Sequence, residues 1–255
     1  MNFVGTGKKL TARDYATEAV RAGLLVATLQ GVIDVEAAGS GFDSKNRLKI
    51  LTEPHIFYAR LGAGPARDRA VKRGVAYPKW GAKPYPKTSE ANYQRLTMMM
   101  TIDEKAAMES TSWGLTQVMG YNCKDAGYAD VYKMFEAYKT GEAEQLAAFV
   151  RLIDEWDLED ELQRRDARGF ALKYNGKGFD KNHYDTKLRT AWEHRDAGTL
   201  VQKLVDTVPT EARGPMPALD PVVLPVVAPS NPITENLPAH TEQSVVQKFK
   251  TGEHL

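Results

Sequence analysis

Proline is spread so unevenly along this chain that it limits what can fold. Eight of the 13 prolines lie at or beyond Pro209 (Pro209, Pro215, Pro217, Pro221, Pro225, Pro229, Pro232, Pro238). A locked φ and a missing N–H favour extended, unpacked chain. The reading is one packed domain over residues 1–200 and a mostly disordered tail over 201–255, with the composition changing after Val208. Two hundred residues are ample for a single hydrophobic core. Residues 209–255 carry five acids and three bases, so residues 1–208 keep 28 acids and 31 bases. That mild positive balance helps encounter with an anionic polymer. It is far from the basic footprint of a nucleic-acid binder.

Ahead of the tail the periodicity is helical. Thr11 with Asp14 forms a capping pair, and a helix runs from it to about Ala22, where Gly23 stops it. A second helix covers Val26 to Glu36, with Val26, Leu29, Ile33 and Glu36 at helical spacing. Ala37-Ala38-Gly39-Ser40-Gly41 ends it. Residues 42–58 read as a short hairpin or extended excursion. Residues 59–87, rich in Gly, Pro, Lys and Arg, read as a long surface loop with at most a brief helix. Helical pattern resumes near Ser89. Thr101-x-x-Glu104 reads as a capping box. Further helices are expected at about 128–139, 142–157, 159–165, 166–174 and 182–196. The chain is therefore mostly α, with a short β excursion after the second helix.

Three segments carry chemistry. In the first, Glu36 ends an apolar helix just before a glycine turn. Burial among apolar neighbours raises a carboxyl's pKa, and a carboxyl held protonated near neutral pH can act as a general acid. In the second, Ser112-Trp113-Gly114-Leu115-Thr116-Gln117-Val118-Met119-Gly120-Tyr121, Gly114 permits close backbone approach by a ligand or a helix. There Gln117 supplies a donor and an acceptor, and Trp113 and Tyr121 offer flat apolar faces. In the third, Tyr174-Asn175-Gly176, a tyrosine hydroxyl beside a turn can bond a carboxyl or a substrate. Glu53 is the first candidate for a second carboxylate and Asp43 the next, with His55 placed to orient Glu53. The single cysteine, Cys123, excludes an internal disulfide and reads as a buried small residue rather than a nucleophile. His183 and His194 lack zinc-site spacing, so no metal is expected.

Taken in order, these segments resemble the N-acetylmuramidase family found among phage endolysins, a branch of the lysozyme-like group. The resemblance runs through Val35-Glu36, Gly39-Ser40-Gly41-Phe42 and Lys49 to Tyr58. It continues through Ser112-Trp113-Gly114-Leu115-x-Gln117-Val118-Met119-Gly120 and Gln145-Leu146-x-x-Phe149-Val150. Tyr174-Asn175-Gly176 and Asn182-x-Tyr184-Asp185-x-Lys187-Leu188 complete it. It spans roughly residues 3–195. Two places depart from it: Ala37-Ala38 replaces the small polar residues usual after the Glu, and Thr116 stands where an aromatic or Gly is common.

The resemblance implies a lysozyme-like helical domain that cleaves the β-1,4 bond between N-acetylmuramic acid and N-acetylglucosamine in peptidoglycan. Glu36 is then the general acid, with Glu53 the first candidate for a second carboxylate and Asp43 the next; if neither faces Glu36, a one-carboxylate mechanism applies. Ser112, Trp113, Gln117, Tyr121, Tyr174 and Asn175 contact the glycan. No cofactor is needed. The alternatives are a lytic transglycosylase giving a 1,6-anhydro product and a non-catalytic wall-binding phage protein. The expected partner is the peptidoglycan glycan strand, met by a monomer without stable membrane insertion or nucleic-acid binding. The first twenty residues lack the apolar core of a signal peptide. The expected route is therefore from the host cytoplasm through a holin to the periplasm and wall.

Overall fold

The computed structural model describes residues 1–37, 39–176 and 183–207. The tail from 208 onward, Ala38 and residues 177–182, Asn182 among them, lie outside the described residues. Among those described, eleven α-helices surround one small antiparallel sheet.

The N-terminal pair follows its local signals. Thr11 and Asp14 form a reciprocal capping box that opens α1 (Ala12–Arg21), and Gly23, at φ +64°, ends that turn. The next helix, α2 (Val26–Glu36), has no side-chain cap but buries Leu29, Gly31, Val32 and Ile33. A helix apolar around most of its girth belongs inside a domain. Its main partner is α11 (Tyr184–Thr207). A Cβ at Gly31 would meet Trp192 Cδ1 at 2.5 Å, so only glycine allows this approach. The Trp192 indole N–H donates to the Thr28 carbonyl at 3.0 Å, and Arg195 Nε donates to Asp34 Oδ2 at 2.6 Å. The helix expected at 182–196 thus continues to Thr207, beyond the boundary expected at 200.

The excursion after α2 is real, but its partners are distant in sequence. Strand β1 (Ile50–Thr52) pairs with β2 (Thr111–Trp113), which pairs with β3 (Val118–Met119). The register sets Ile50 opposite Trp113 and Ser112 opposite Met119. The segment expected as a long loop with a brief helix holds that helix, α4 (Pro65–Lys72), and the end of the expected excursion folds as α3 (Pro54–Arg60); each opens with proline in its first turn, where a missing N–H costs nothing. The Thr101 capping box does not form. Asp103 caps α6 (Glu104–Glu109), accepting from the Ala106 N–H at 2.8 Å, and Thr101 instead closes α5 (Ser89–Met100). The charged acceptor two residues further on takes the cap instead.

The remaining helices are α7 (Val131–Tyr138), α8 (Glu142–Glu155), α9 (Glu159–Gln163) and α10 (Ala167–Asn175). They divide the interior into two apolar clusters. One, around Trp113, Phe135 and Tyr138, lies beneath the sheet. The other, around Phe149, Phe170, Tyr174 and Trp192, lies between α2, α8, α10 and α11. Trp156 packs against both.

Candidate active site

Glu36 occupies the last turn of α2 and is 8% exposed. The Tyr184 hydroxyl donates to its Oε1 from the start of α11. Tyr174, at the end of α10, turns its hydroxyl toward the same carboxyl without a hydrogen bond of ordinary length. Burial pushes the Glu36 pKa from 4.5 to about 7, and the Tyr184 and Tyr174 hydroxyls pull against that rise. A helix C-terminus is also a poor place for negative charge. Near neutral pH this carboxyl can therefore still hold a proton, unlike an ordinary glutamate. Burial, followed by the charge of Glu36, drives both tyrosine pKa values well above the usual range, so they remain donors.

The loop leaving Glu36 is pinned from α8. Glu142, buried at the start of that helix, accepts from the Gly41 N–H at 2.8 Å, the Ser40 hydroxyl at 3.0 Å and the Leu10 N–H at 3.1 Å. One turn on, fully buried Gln145 accepts from the Leu115 N–H at 2.6 Å and donates to the Tyr138 carbonyl at 3.0 Å. A Cβ at Gly41 would meet Gln145 Oε1 at 2.0 Å, and one at Gly114 would meet it at 2.7 Å. The neighbour that Gly114 admits is thus helix α8. Both loops close on one amide.

Glu53 immediately precedes α3 and is 2% exposed. It accepts the Tyr85 hydroxyl, and His55 Nδ1 lies 3.4 Å from its Oε2. Its N–H donates to the Ser110 carbonyl at 2.9 Å. Tyr121 lies on the Glu53 side of the site. It packs on the cluster that holds Tyr174 and Tyr184, and its hydroxyl feels both Arg60 and Glu53.

Several expected contacts turn out to be buried supports. Trp113 is fully buried; its indole N–H donates to the Met108 carbonyl at 3.0 Å and its ring meets Phe135 edge-on, so no face is left for a sugar. Ser112, also fully buried, donates to Gln117 Oε1 at 3.0 Å. Gln117 Nε2 donates to the Gly114 carbonyl at 2.7 Å and the Lys49 carbonyl at 3.3 Å, so this side chain braces the β2–β3 turn. Tyr174 stacks on Phe170 with no exposed surface, so it serves the carboxyl and not a sugar face. Asn175 is fully buried too, with neither amide atom hydrogen-bonded. Asp43 is fully engaged: Arg47 lies 2.7 Å away, Ser89 donates at 2.7 Å, and the N–H groups of Lys45 and Arg47 each donate at 2.9 Å. Burial raises its pKa, but these donors outweigh that and lower it, which makes it a loop clasp. Cys123 is buried, and burial pushes its thiol pKa up, away from a reactive thiolate.

Two functional groups escape a reading of the sequence. Tyr184 falls in a segment that carries the resemblance, yet nothing local shows that its hydroxyl meets a carboxyl on a helix 148 residues away. Tyr85 lies in a Pro- and Lys-rich stretch with the signature of an exposed loop.

Among the described residues, two concavities flank this centre. An open groove of about 570 Å³ runs between α2 and α11, past Asp34, Val35 and His194. A tighter pocket of about 200 Å³ lies between β1, the β2–β3 turn and residues 85–89.

A family model for N-acetylmuramidase matches residues 25–196. The crystal structure of the Burkholderia AP3 phage endolysin is similar at 36% sequence identity and a TM-score of 0.67, over 75% of this chain and 72% of that one. No curated protein matches the chain.

Proposed function

Because the chain belongs to the N-acetylmuramidase family, we propose that it hydrolyses the β-1,4 bond between N-acetylmuramic acid and N-acetylglucosamine, with Glu36 as general acid. The chain is a lysozyme-type glycoside hydrolase acting on peptidoglycan. The observation that carries the finer reading is the state of Glu36: a desolvated carboxyl with a pKa of about 7, held by a tyrosine donor. Tyr184 occupies Oε1, which leaves Oε2 to carry the proton. That proton passes to the glycosidic oxygen as the bond to the anomeric carbon breaks. Tyr184 then steadies the carboxylate left behind.

Glu53, which accepts the Tyr85 hydroxyl and has His55 Nδ1 3.4 Å away, is suited to the opposite task. It receives a proton from the attacking water or faces the positive charge that develops on the sugar. Tyr121 is the aromatic proposed to meet a sugar ring, since it is partly exposed and its hydroxyl lies within the field of Glu53.

The biological setting we propose is that of an endolysin, acting as a monomer after passing from the host cytoplasm through a holin to the wall. Muropeptide mass analysis after digestion of purified peptidoglycan tests the chemistry. Wild type is expected to release reducing N-acetylmuramic acid ends, and Glu36→Gln to release none. Anhydro ends, lighter by one water, would make the enzyme a transglycosylase. Release by Glu36→Gln at the wild-type rate would remove Glu36 from the acid's role.

A further inference from the structure

We propose that the exposed cationic ledge formed by α4 and residues 77–88 is a peripheral docking surface for an anionic phospholipid bilayer. The inference goes beyond the glycosidase reading and does not depend on it, because it concerns a surface and not the reacting carboxyls.

Positive charge is concentrated in this one stretch. Residues 60–88 carry eight bases and a single acid, Asp68, while the whole chain has a formal net charge of only +1. The rest of the chain is therefore net negative. Neighbouring cations are paired: Arg60 with Glu109, and Lys45 and Arg47 with Glu90. Arg69, Lys72, Arg73, Lys79, Lys83 and Lys87 are exposed, and none is ion-paired to an acid among the described residues.

The fold gathers these charges together. Arg69, Lys72 and Arg73 fall at i, i+3 and i+4 on and just after α4, so they share one face. The chain then turns back on that helix. Lys83 Nζ lies 3.5 Å from where a Cβ on Gly74 would sit, one residue past Arg73, and 6.0 Å from the Tyr77 ring centroid. The Ala82 N–H donates to the Lys79 carbonyl at 3.3 Å, which makes a turn of residues 79–82.

That turn carries Trp80, 43% exposed; the other three tryptophans are buried or partly buried. Its indole N–H is turned toward the Tyr85 hydroxyl, which itself donates to Glu53. The ring is thus anchored at its polar edge, with exposed Pro78, Ala82 and Pro84 nearby in the chain.

Charge alone would suit any polyanion. An open indole set among six cations suits a bilayer, which offers phosphates at its surface and an apolar zone just beneath. Tryptophan favours that boundary, and lysine and arginine reach phosphate while their stems lie on apolar surface. No single described helix is long and apolar enough to cross a membrane, so the contact is at the surface.

The test is co-sedimentation of the full chain with vesicles of phosphatidylglycerol and phosphatidylethanolamine, and with vesicles of phosphatidylcholine alone, alongside tryptophan fluorescence. Binding is expected to the anionic vesicles only, to weaken as salt rises, and to shift the emission to the blue. Replacing Lys79, Lys83 and Lys87 together by Gln should weaken it about 100-fold, roughly fivefold per lysine. Replacing Lys8, Lys124 and Lys133 by Gln, which removes the same charge elsewhere on the surface, should change it little. Trp80→Phe should abolish the blue shift and keep most of the binding. Muropeptide release from purified, lipid-free peptidoglycan should be the same for the ledge variant and wild type.

No binding to anionic vesicles, equal binding to both kinds of vesicle, an equal loss from the two triple variants, or a blue shift that survives Trp80→Phe would overturn the proposal. So would a ledge variant that keeps vesicle binding but loses release from lipid-free peptidoglycan, which would assign the ledge to the wall polymer. Failure of the bond assignment reads differently: it shows in the ends released by wild type, whatever the vesicles bind.

Discussion

Glu36 and Glu53 are buried to similar depth, at 8% and 2% exposure, but the molecule treats them in opposite ways. Glu36 closes a helix whose other buried residues are mostly apolar, and its hydrogen bond comes from a neutral hydroxyl. Glu53 precedes a helix at the edge of the sheet, with a tyrosine hydroxyl and an imidazole nitrogen directed at one of its oxygens. Desolvation dominates at the first, while the second accepts the Tyr85 hydroxyl with His55 beside it. Two carboxyls in contrasting environments are what acid and base roles on one bond require.

The comparison breaks most directly at Glu36. Glu36→Gln is expected to lower muropeptide release by roughly 10²–10⁴-fold, the usual worth of a general acid, while the circular dichroism spectrum stays that of the wild type. A variant as active as wild type would place the acid elsewhere.

Stability against pH sharpens the same contrast. The folded-state pKa of Glu36 is raised from 4.5 to about 7, so its protonated form favours the folded state. That contribution is complete below about 4.5 and is lost as pH rises through 7. Over that interval wild type should lose about 3 kcal/mol relative to Glu36→Gln, read from urea unfolding at pH 4 and pH 8. Parallel curves for the two proteins would mean that Glu36 is not desolvated.

Glu53→Gln should cost about 10²-fold in turnover, the lower end of the range for a proton-transfer group. It should leave the alkaline limb of the pH–rate profile in place, because that limb belongs to Glu36. Movement of that limb would show the two acids titrating as one unit.

Gly31→Ala disturbs the support rather than the chemistry. The added methyl meets Trp192 where α2 crosses α11, the helix that brings Tyr184 to Glu36. A loss of about 1–3 kcal/mol is expected from thermal unfolding. The smallest effect is expected from Tyr184→Phe. Removing a donor that lowers the Glu36 pKa should move the alkaline limb to higher pH, with only a few-fold loss of rate at the optimum. A limb that moves down would mean that Tyr184 does not stabilise the ionised form.

Legibility differed between the two halves in the same way as the chemistry. The helical half announces itself locally: Thr11 and Asp14 cap α1, Gly23 stops it, the apolar spacing of 26–36 delivers Glu36 to a helix end, and Asn175-Gly176 ends α10. The sheet half does not. β1 finds β2 some sixty residues later, so an excursion after Glu36 is visible in the pattern while its partner is not. Trp113 and Tyr174 show the common error. An aromatic suited to stacking on a sugar is equally suited to a core, and only burial separates the two uses.

By itself, then, the sequence determined the helical class, the helix that carries the acid, the glycines on which Gln145 closes and a family resemblance spread over the packed part of the chain. The tertiary structure decided which residues meet Glu36 and Glu53, and which expected contacts became supports. The physical reason is range. Caps, turns and helix faces depend on neighbours within a few residues, so their signals stay local. A carboxyl's pKa depends on desolvation and on donors such as Tyr184, brought from 148 residues away by the close crossing of α2 and α11 at Gly31.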